Sequence, residues 1–265
     1  MAINLCNHDI HLWFVDINHV KGTTILKQYE SMLSASERER NQRFIFEKDR
    51  KRHMITRALL RSVLSEYYDG IAPQNWCFTE NDYGKPQISP EMLITPLSFN
   101  LSHSGRMIVL AVTNKHAIGV DIETLKQKTP STDLAKHYFA PEEYQQLKGL
   151  TNNEFHSHFF DFWTLKEAYI KACGLGLSIP LDSFSFSFVT PLKTSQQKSA
   201  IKIDFSTSRR DDPAHWQFWQ ILPMQDYKVA LAINSTVKIK QAEQIVMREI
   251  IPLQSYSEVE YDWQK

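Results

Sequence analysis

Two similar nine-residue segments constrain the fold of this chain more than anything else in it. Residues 106–114 read RMIVLAVTN, and residues 226–234 read DYKVALAIN. Each follows elements in the same order: a helix, a long helix, then a strand and a hairpin. One reading is a duplicated α+β unit with pseudo-twofold symmetry. The other is coincidence among apolar strands. No Gly/Ser linker separates the halves, so a division at 1–115 and 116–265 is expected to carry a tight interface.

The local patterns supply the elements. Residues 11–15 read as an opening strand. Ser34 and Glu37 form a cap-like start to a short polar helix over 37–42. Ile55, Leu59 and Val63 follow an i, i+4 line along a helix over 47–68, which Gly70 and Pro73 end. Residues 81–86 (NDYGKP) read as a turn. Strands are expected over 97–101, 108–113 and 117–123. In the second half, Pro141 opens a helix to about residue 148. An aromatic-rich helix covers 154–173, and Gly174 and Gly176 stop it. Alternating Ser and Phe mark a strand over 183–189, and 216–222 with 227–233 read as a hairpin. Residues 241–251 suit a last helix or strand.

Composition narrows the function classes. Apolar residues are 42% of 265, with 15 Phe, 10 Tyr and 6 Trp, so a sizeable core is available. Lys+Arg and Asp+Glu both total 30. Bulk charge therefore points to no nucleic-acid partner, and a phosphate site must come from local clustering. The apolar run 107–112 is too short to cross a bilayer, so no membrane partner is expected. Cys6, Cys77 and Cys173 are odd in number and far apart. That argues against a disulfide framework or a zinc site and fits a cytoplasmic protein.

Two motifs carry the chemistry. The first is Gly119-Val120-Asp121-Ile122-Glu123. On a strand, Asp121 and Glu123 share one face while Val120 and Ile122 face the core. Alone, such a triplet is explained by a solvated strand end. The second is Trp163-Thr164-Leu165-Lys166-Glu167-Ala168-Tyr169-Ile170-Lys171. On a helix, Glu167 and Lys171 share a face. A helix this aromatic is largely buried, and buried ions need partners. Glu167 then suits a third ligand of a hard cation such as Mg²⁺, and Lys171 suits a phosphate neighbour. Lys166 lies on a different side and suits either a second phosphate neighbour or a structural role. Nine Lys/Arg against three acids over 38–61 form a basic cluster. Arg50, Arg57 and Arg61 share its polar face, either as a solvated surface or as a phosphate cradle. Ser102-His103-Ser104-Gly105, placed after a strand, and Lys85 on its turn add possible phosphate contacts.

Together these residues resemble the 4′-phosphopantetheinyl transferases of the surfactin-synthetase-activating (Sfp) type. Supporting matches are Arg43-Phe44, Arg57 with Leu59-Leu60-Arg61, Gly84-Lys85-Pro86, Ser102 to Gly105, and Gly174 to Ser178. The resemblance runs with gaps from about residue 43 to 188. It implies two similar α/β subdomains with coenzyme A in the cleft between them. It implies transfer of phosphopantetheine to a serine hydroxyl of an apo carrier protein (fatty-acid, polyketide or nonribosomal-peptide), with 3′,5′-ADP leaving. By the same resemblance Asp121, Glu123 and Glu167 would bind Mg²⁺, with Mn²⁺ as a substitute. Lys171 would contact the attacked phosphate. Arg43, Arg57, Lys85, Ser102 and His103 would hold coenzyme A phosphates. Glu143 sits where the family places a possible general base, metal-bound water being the alternative. A monomer is expected, since one chain supplies both walls of the cleft. The competing functions are a non-catalytic coenzyme A or nucleotide binder and a Mg²⁺-dependent phosphohydrolase.

Overall fold

The computed structural model describes residues 2–6, 9–92, 94, 96–114, 116–126, 129–189, 200–235 and 244–264. It is mixed α+β, and its two halves repeat one connection pattern. The first runs β1 (Asp9–Asp16), α1 (Thr23–Met32), α2 (Ala35–Gln42), α3 (Glu47–Tyr67), a small hairpin of β2 (Phe78–Glu80) and β3 (Pro86–Ile88), then a larger hairpin of β4 (Ser98–Ser104) and β5 (Met107–Thr113). The second runs β6 (Ala117–Thr124), α4 (Thr132–Tyr138), α5 (Pro141–Leu147), α6 (Asn152–Cys173), β7 (Phe184–Val189) with β8 (Ala200–Phe205), then β9 (Trp216–Met224) with β10 (Tyr227–Asn234). In space the repeat is equally plain. β5 lies between β1 and β4, and β10 lies between β6 and β9. The similar segments 106–114 and 226–234 fall on the two equivalent strands, β5 and β10.

The C-terminal strands break this symmetry. β11 (Gln244–Ile250) pairs in parallel with β1, and β12 (Tyr256–Val259) extends the same sheet. β13 (Asp262–Gln264) returns to β9. The expected assignment of everything past 116 to the second half therefore does not hold for 244–259, which close the first sheet. Of the expected element over 241–251, residues 244–250 are strand, and 241–243 lie outside the described residues.

Strand alternation sorts the core into layers. Ile10, Leu12 and Phe14 of β1 face Ile118, Val120 and Ile122 of β6 and Val229 and Leu231 of β10 between the sheets. Trp13 and Val15 face the other way, onto Ile55, Leu59 and Val63 of α3. On the far side, α6 packs on Ala230 and Ala232 of β10. α6 is capped at both ends. Thr151 and Glu154 form a reciprocal capping box, and Gly174 takes the left-handed conformation at φ 70°.

The edges that meet, β4 and β6, are not joined by a backbone ladder. Side chains do the joining. Asn100 Oδ1 accepts from Val120 N–H at 2.9 Å, Ser102 Oγ from Ile122 N–H at 3.3 Å, and Ser104 Oγ from Thr124 N–H at 3.1 Å. Three alternate residues of one strand thus satisfy three alternate amides of the other, and the spacing that their side chains need opens a cleft.

Candidate active site

Val120 and Ile122 are core, so Asp121 and Glu123 face α6. Gly119 makes this approach possible. A Cβ there would lie 2.0 Å from Ala168 O and 2.3 Å from Ala172 N. The helix backbone therefore rests directly on the strand, and Glu167 and Lys171 come down beside the carboxylates.

Asp121 is 4% exposed. Its Oδ1 is held at 2.6 Å by Lys171 Nζ and accepts from Ser102 Oγ at 2.9 Å. Lys171 Nζ also donates to Ser102 Oγ at 3.1 Å. The Ser102 hydroxyl donates one bond and accepts two, so its capacity is filled. The other carboxylate oxygen, Oδ2, is buried with no hydrogen-bond partner. Ser104 Oγ donates to Glu123 Oε2 at 2.7 Å. The carboxyl of Glu167 is pushed up by burial and then by Asp121 and Glu123, against the opposing effect of Lys171. Glu167 thus senses two other carboxylates and one ammonium.

Hard oxygen donors, one of them a buried oxygen without a donor, suit a divalent cation. Among the described residues no three acidic, His or Cys side chains are yet drawn close enough to enclose an ion. Lys171 sits on Asp121, and Ser104 Oγ donates to Glu123.

The expected Ser102-His103 turn is instead the end of β4, paired with β5 as far as Ser104, and its serine hydroxyls accept from amides of β6. Alternation then splits the pair. Ser102 faces Asp121, while His103 faces α3. The surrounding protein, and next Arg52, lower the His103 pKa, with Lys171 adding to the effect. Burial, then Arg57 and Arg40, also push the nearby His53 down to about 4. A cluster of potential anion contacts therefore forms between α2, α3 and β4.

Lys85 lies at the opposite end of the cleft. Its Nζ donates to Ile118 O at 3.0 Å and Ala172 O at 3.1 Å, joining the ends of β6 and α6. Burial lowers its pKa to about 8. Asn81 Nδ2 donates to Gly174 O at 2.7 Å and docks the same turn on the α6 C-cap. Beside them is a cavity of about 540 Å³, walled by Lys85, Pro86 and Leu97 from one half and Ile118, Cys173 and Gly174 from the other.

Other expected site residues lie elsewhere. Glu143 is fully buried, paired with Lys166 Nζ at 2.8 Å, and accepts from Ala140 N–H and Phe186 N–H at 3.0 and 2.8 Å. Lys166 also donates to Leu181 O and Phe184 O, at 2.6 and 2.7 Å. Glu143 thus cannot reach a substrate hydroxyl, and the expectation of a general base there is corrected to a buried structural ion pair. Arg57 is engaged by Glu37, which Arg61 also binds at 2.7 Å. Burial raises the Glu37 carboxyl, but the two arginines and the Ser34 amide outweigh it and hold the pKa low. Arg43 is exposed at the end of α2 and pairs with Glu39 at 2.5 Å.

Asn100 belongs to the site region although the sequence assigned it no role, and the alternating Asn-x-Ser-x-Ser pattern over 100–104 was the available signal.

An ammonium set among hard acids suits a phosphate ester, and comparison with known proteins specifies the family. Residues 117–232 match the model of the 4′-phosphopantetheinyl transferase superfamily, and residues 23–115 match that of the 4′-phosphopantetheinyl transferase N-terminal region. A 4′-phosphopantetheinyl transferase of Bacillus subtilis is 41% identical over 153 residues, covering 58% of this chain and 65% of that protein. The transferase HetI of Nostoc is 31% identical over 231 residues, covering 87% and 90%. The transferase Sfp of Bacillus subtilis strain 168 is 38% identical over 159 residues, covering 60% and 68%. The chain belongs to the 4′-phosphopantetheinyl transferase superfamily and is, by that membership, an enzyme.

Proposed function

We propose that this protein moves the 4′-phosphopantetheine arm of coenzyme A onto a serine hydroxyl of an apo carrier protein. The serine oxygen forms a bond to phosphorus, the bond from that phosphorus to the leaving phosphate breaks, and 3′,5′-ADP departs. The observation that carries this reading is the knot of Asp121, Lys171 and Ser102. It joins α6, β6 and β4 across the two halves, with the cavity they share at the Lys85 end of β6.

Asp121, Glu123 and Glu167 would hold Mg²⁺, or Mn²⁺ in its place, and the ion would neutralise pyrophosphate charge. Lys171 would contact the attacked phosphate, since phosphoryl transfer depends on positioning and charge neutralisation. Ser102, His103 and Lys85 would line the path of the coenzyme A phosphates. Arg57 and Arg43 would contribute from α3 and α2 once released from Glu37 and Glu39. With Glu143 enclosed, Glu167, whose pKa burial raises, would accept the serine proton. The duplicated halves provide both cleft walls in one chain, which supports a monomer. All three cysteines are free thiols, which supports a cytoplasmic setting. Among the described residues no helix is long and apolar enough to cross a membrane.

The test is intact mass spectrometry of several classes of apo carrier incubated with the protein, coenzyme A and Mg²⁺. A gain of one phosphopantetheine arm is expected. No shift on any carrier contradicts the reading. Breakdown of coenzyme A without a carrier would indicate the phosphohydrolase instead, and binding without turnover the regulator.

A further inference from the structure

Asp121 is a nearly buried carboxylate, and such a group needs a compensating cation. Its cation here is an ammonium on a flexible four-carbon stem. The Lys171 side chain is 27% exposed, against 5% for that of Asp121, so the lysine has room to leave and the aspartate does not. Lys171 reaches only Oδ1, at 2.6 Å, while Oδ2 has no partner. Ser102 bonds both members of the pair and is anchored in turn by Ile122 N–H. The carboxylate is therefore fixed from below by β4 and β6, and its cation approaches from the open side.

We propose that Lys171 is the exchangeable counter-ion of Asp121. The ammonium holds the carboxylate until a divalent cation replaces it, and it then moves to the substrate phosphate. This rests on reading Asp121 as a ligand of that cation. The consequence is coupling. Without a phosphate to receive Lys171, the cation must displace an ion pair and binds weakly. With one present, the displaced ammonium has a new partner. By linkage the cation then favours the phosphate ligand by the same factor.

The test is calorimetric titration of Mn²⁺ into the full chain without coenzyme A. Lys171→Met is expected to bind Mn²⁺ about 10-fold more tightly than wild type, within the usual span of coupling between sites. Lys171→Gln should behave alike and guards against a folding defect in one variant. Lys171→Arg keeps a cation on Asp121 and should show no tightening. Arg52→Met removes a charge that is paired with Asp49 at 2.7 Å, not with Asp121, and should stay within about twofold of wild type. Unchanged or weaker binding in both neutral Lys171 variants overturns the proposal. Equal tightening in Arg52→Met also overturns it, since the effect would then be one of general field. Asp121→Asn separates the two levels. If it binds Mn²⁺ like wild type, the metal reading itself fails. If it loses Mn²⁺ while the Lys171 variants match wild type, only the exchange fails.

Discussion

Gly119 has no room for a side chain, because both atoms that would block a Cβ belong to the α6 backbone. Backbone cannot rotate aside as a side chain can. Gly119→Ala is therefore expected to lower stability by ~1–3 kcal/mol or more, as overpacking does. Urea denaturation measures it, and a change under about 0.5 kcal/mol would contradict the contact. The same shift would lift Glu167 and Lys171 off Asp121, so transfer should fall in parallel. Gly105 is constrained differently, by its backbone conformation and a neighbouring side chain. Its φ is +53°, and a Cβ would meet the Tyr227 hydroxyl at 2.6 Å.

At the scale of elements, two lysines act as pins. Lys166 ties α6 to Glu143 of α5 and to the carbonyls that precede and open β7. Removing one partner of a buried pair strands the other, so Glu143→Ala should cost about 3–5 kcal/mol. The pH profile of transfer per folded molecule should keep its shape. If stability were unchanged and the profile lost a limb, Glu143 would be the base after all.

Lys85 joins the ends of β6 and α6, and its pKa is lowered to about 8 by burial. Above that pH the folded lysine loses its proton, while the unfolded one keeps it up to about 10.4. The unfolded state then binds more protons, so this group makes stability rise with pH between those values. Lys85→Met should remove that rise, read as urea midpoints at pH 8 and pH 10. An unchanged difference between the two midpoints would show that Lys85 is not its source.

The readable and unreadable parts of these elements differ in kind. Asp121, Glu123, Glu167 and Lys171 each lie on one regular element, so period alone assigned their faces. Glu143–Lys166, Lys85 with its two carbonyls, and Glu37 with Arg57 and Arg61 are tertiary partnerships, and no spacing encodes them. α1 and α4 went unread, as did β8. Between α1 and α4, only the latter has a side-chain N-cap, Ser131 accepting from Leu134 N–H at 3.2 Å.

For the whole molecule, the decisive feature is how the two halves meet. Asn100, Ser102 and Ser104 replace a backbone ladder with side chains, and the cleft lies along that seam. Asn100 is buried, and Val120 N–H depends on it. Asn100→Ala should lower stability by ~1–3 kcal/mol by leaving that amide unsatisfied. A variant as stable as wild type in chemical denaturation would show that the seam is held otherwise. The repeated pattern was suggested but not decided by the segments 106–114 and 226–234, which fall on equivalent strands. The return of β11 to β1 was not legible, since a strand's own pattern carries no record of its distant partner.

The most direct measurement follows carrier mass and 3′,5′-ADP together in one reaction, for wild type and for Asp121→Asn. The structure predicts one 3′,5′-ADP per modified carrier in wild type, none without carrier, and a rate at least ~100-fold lower in the variant. Release of 3′,5′-ADP without carrier modification, or a wild-type rate in Asp121→Asn, would contradict a transfer site built on Asp121.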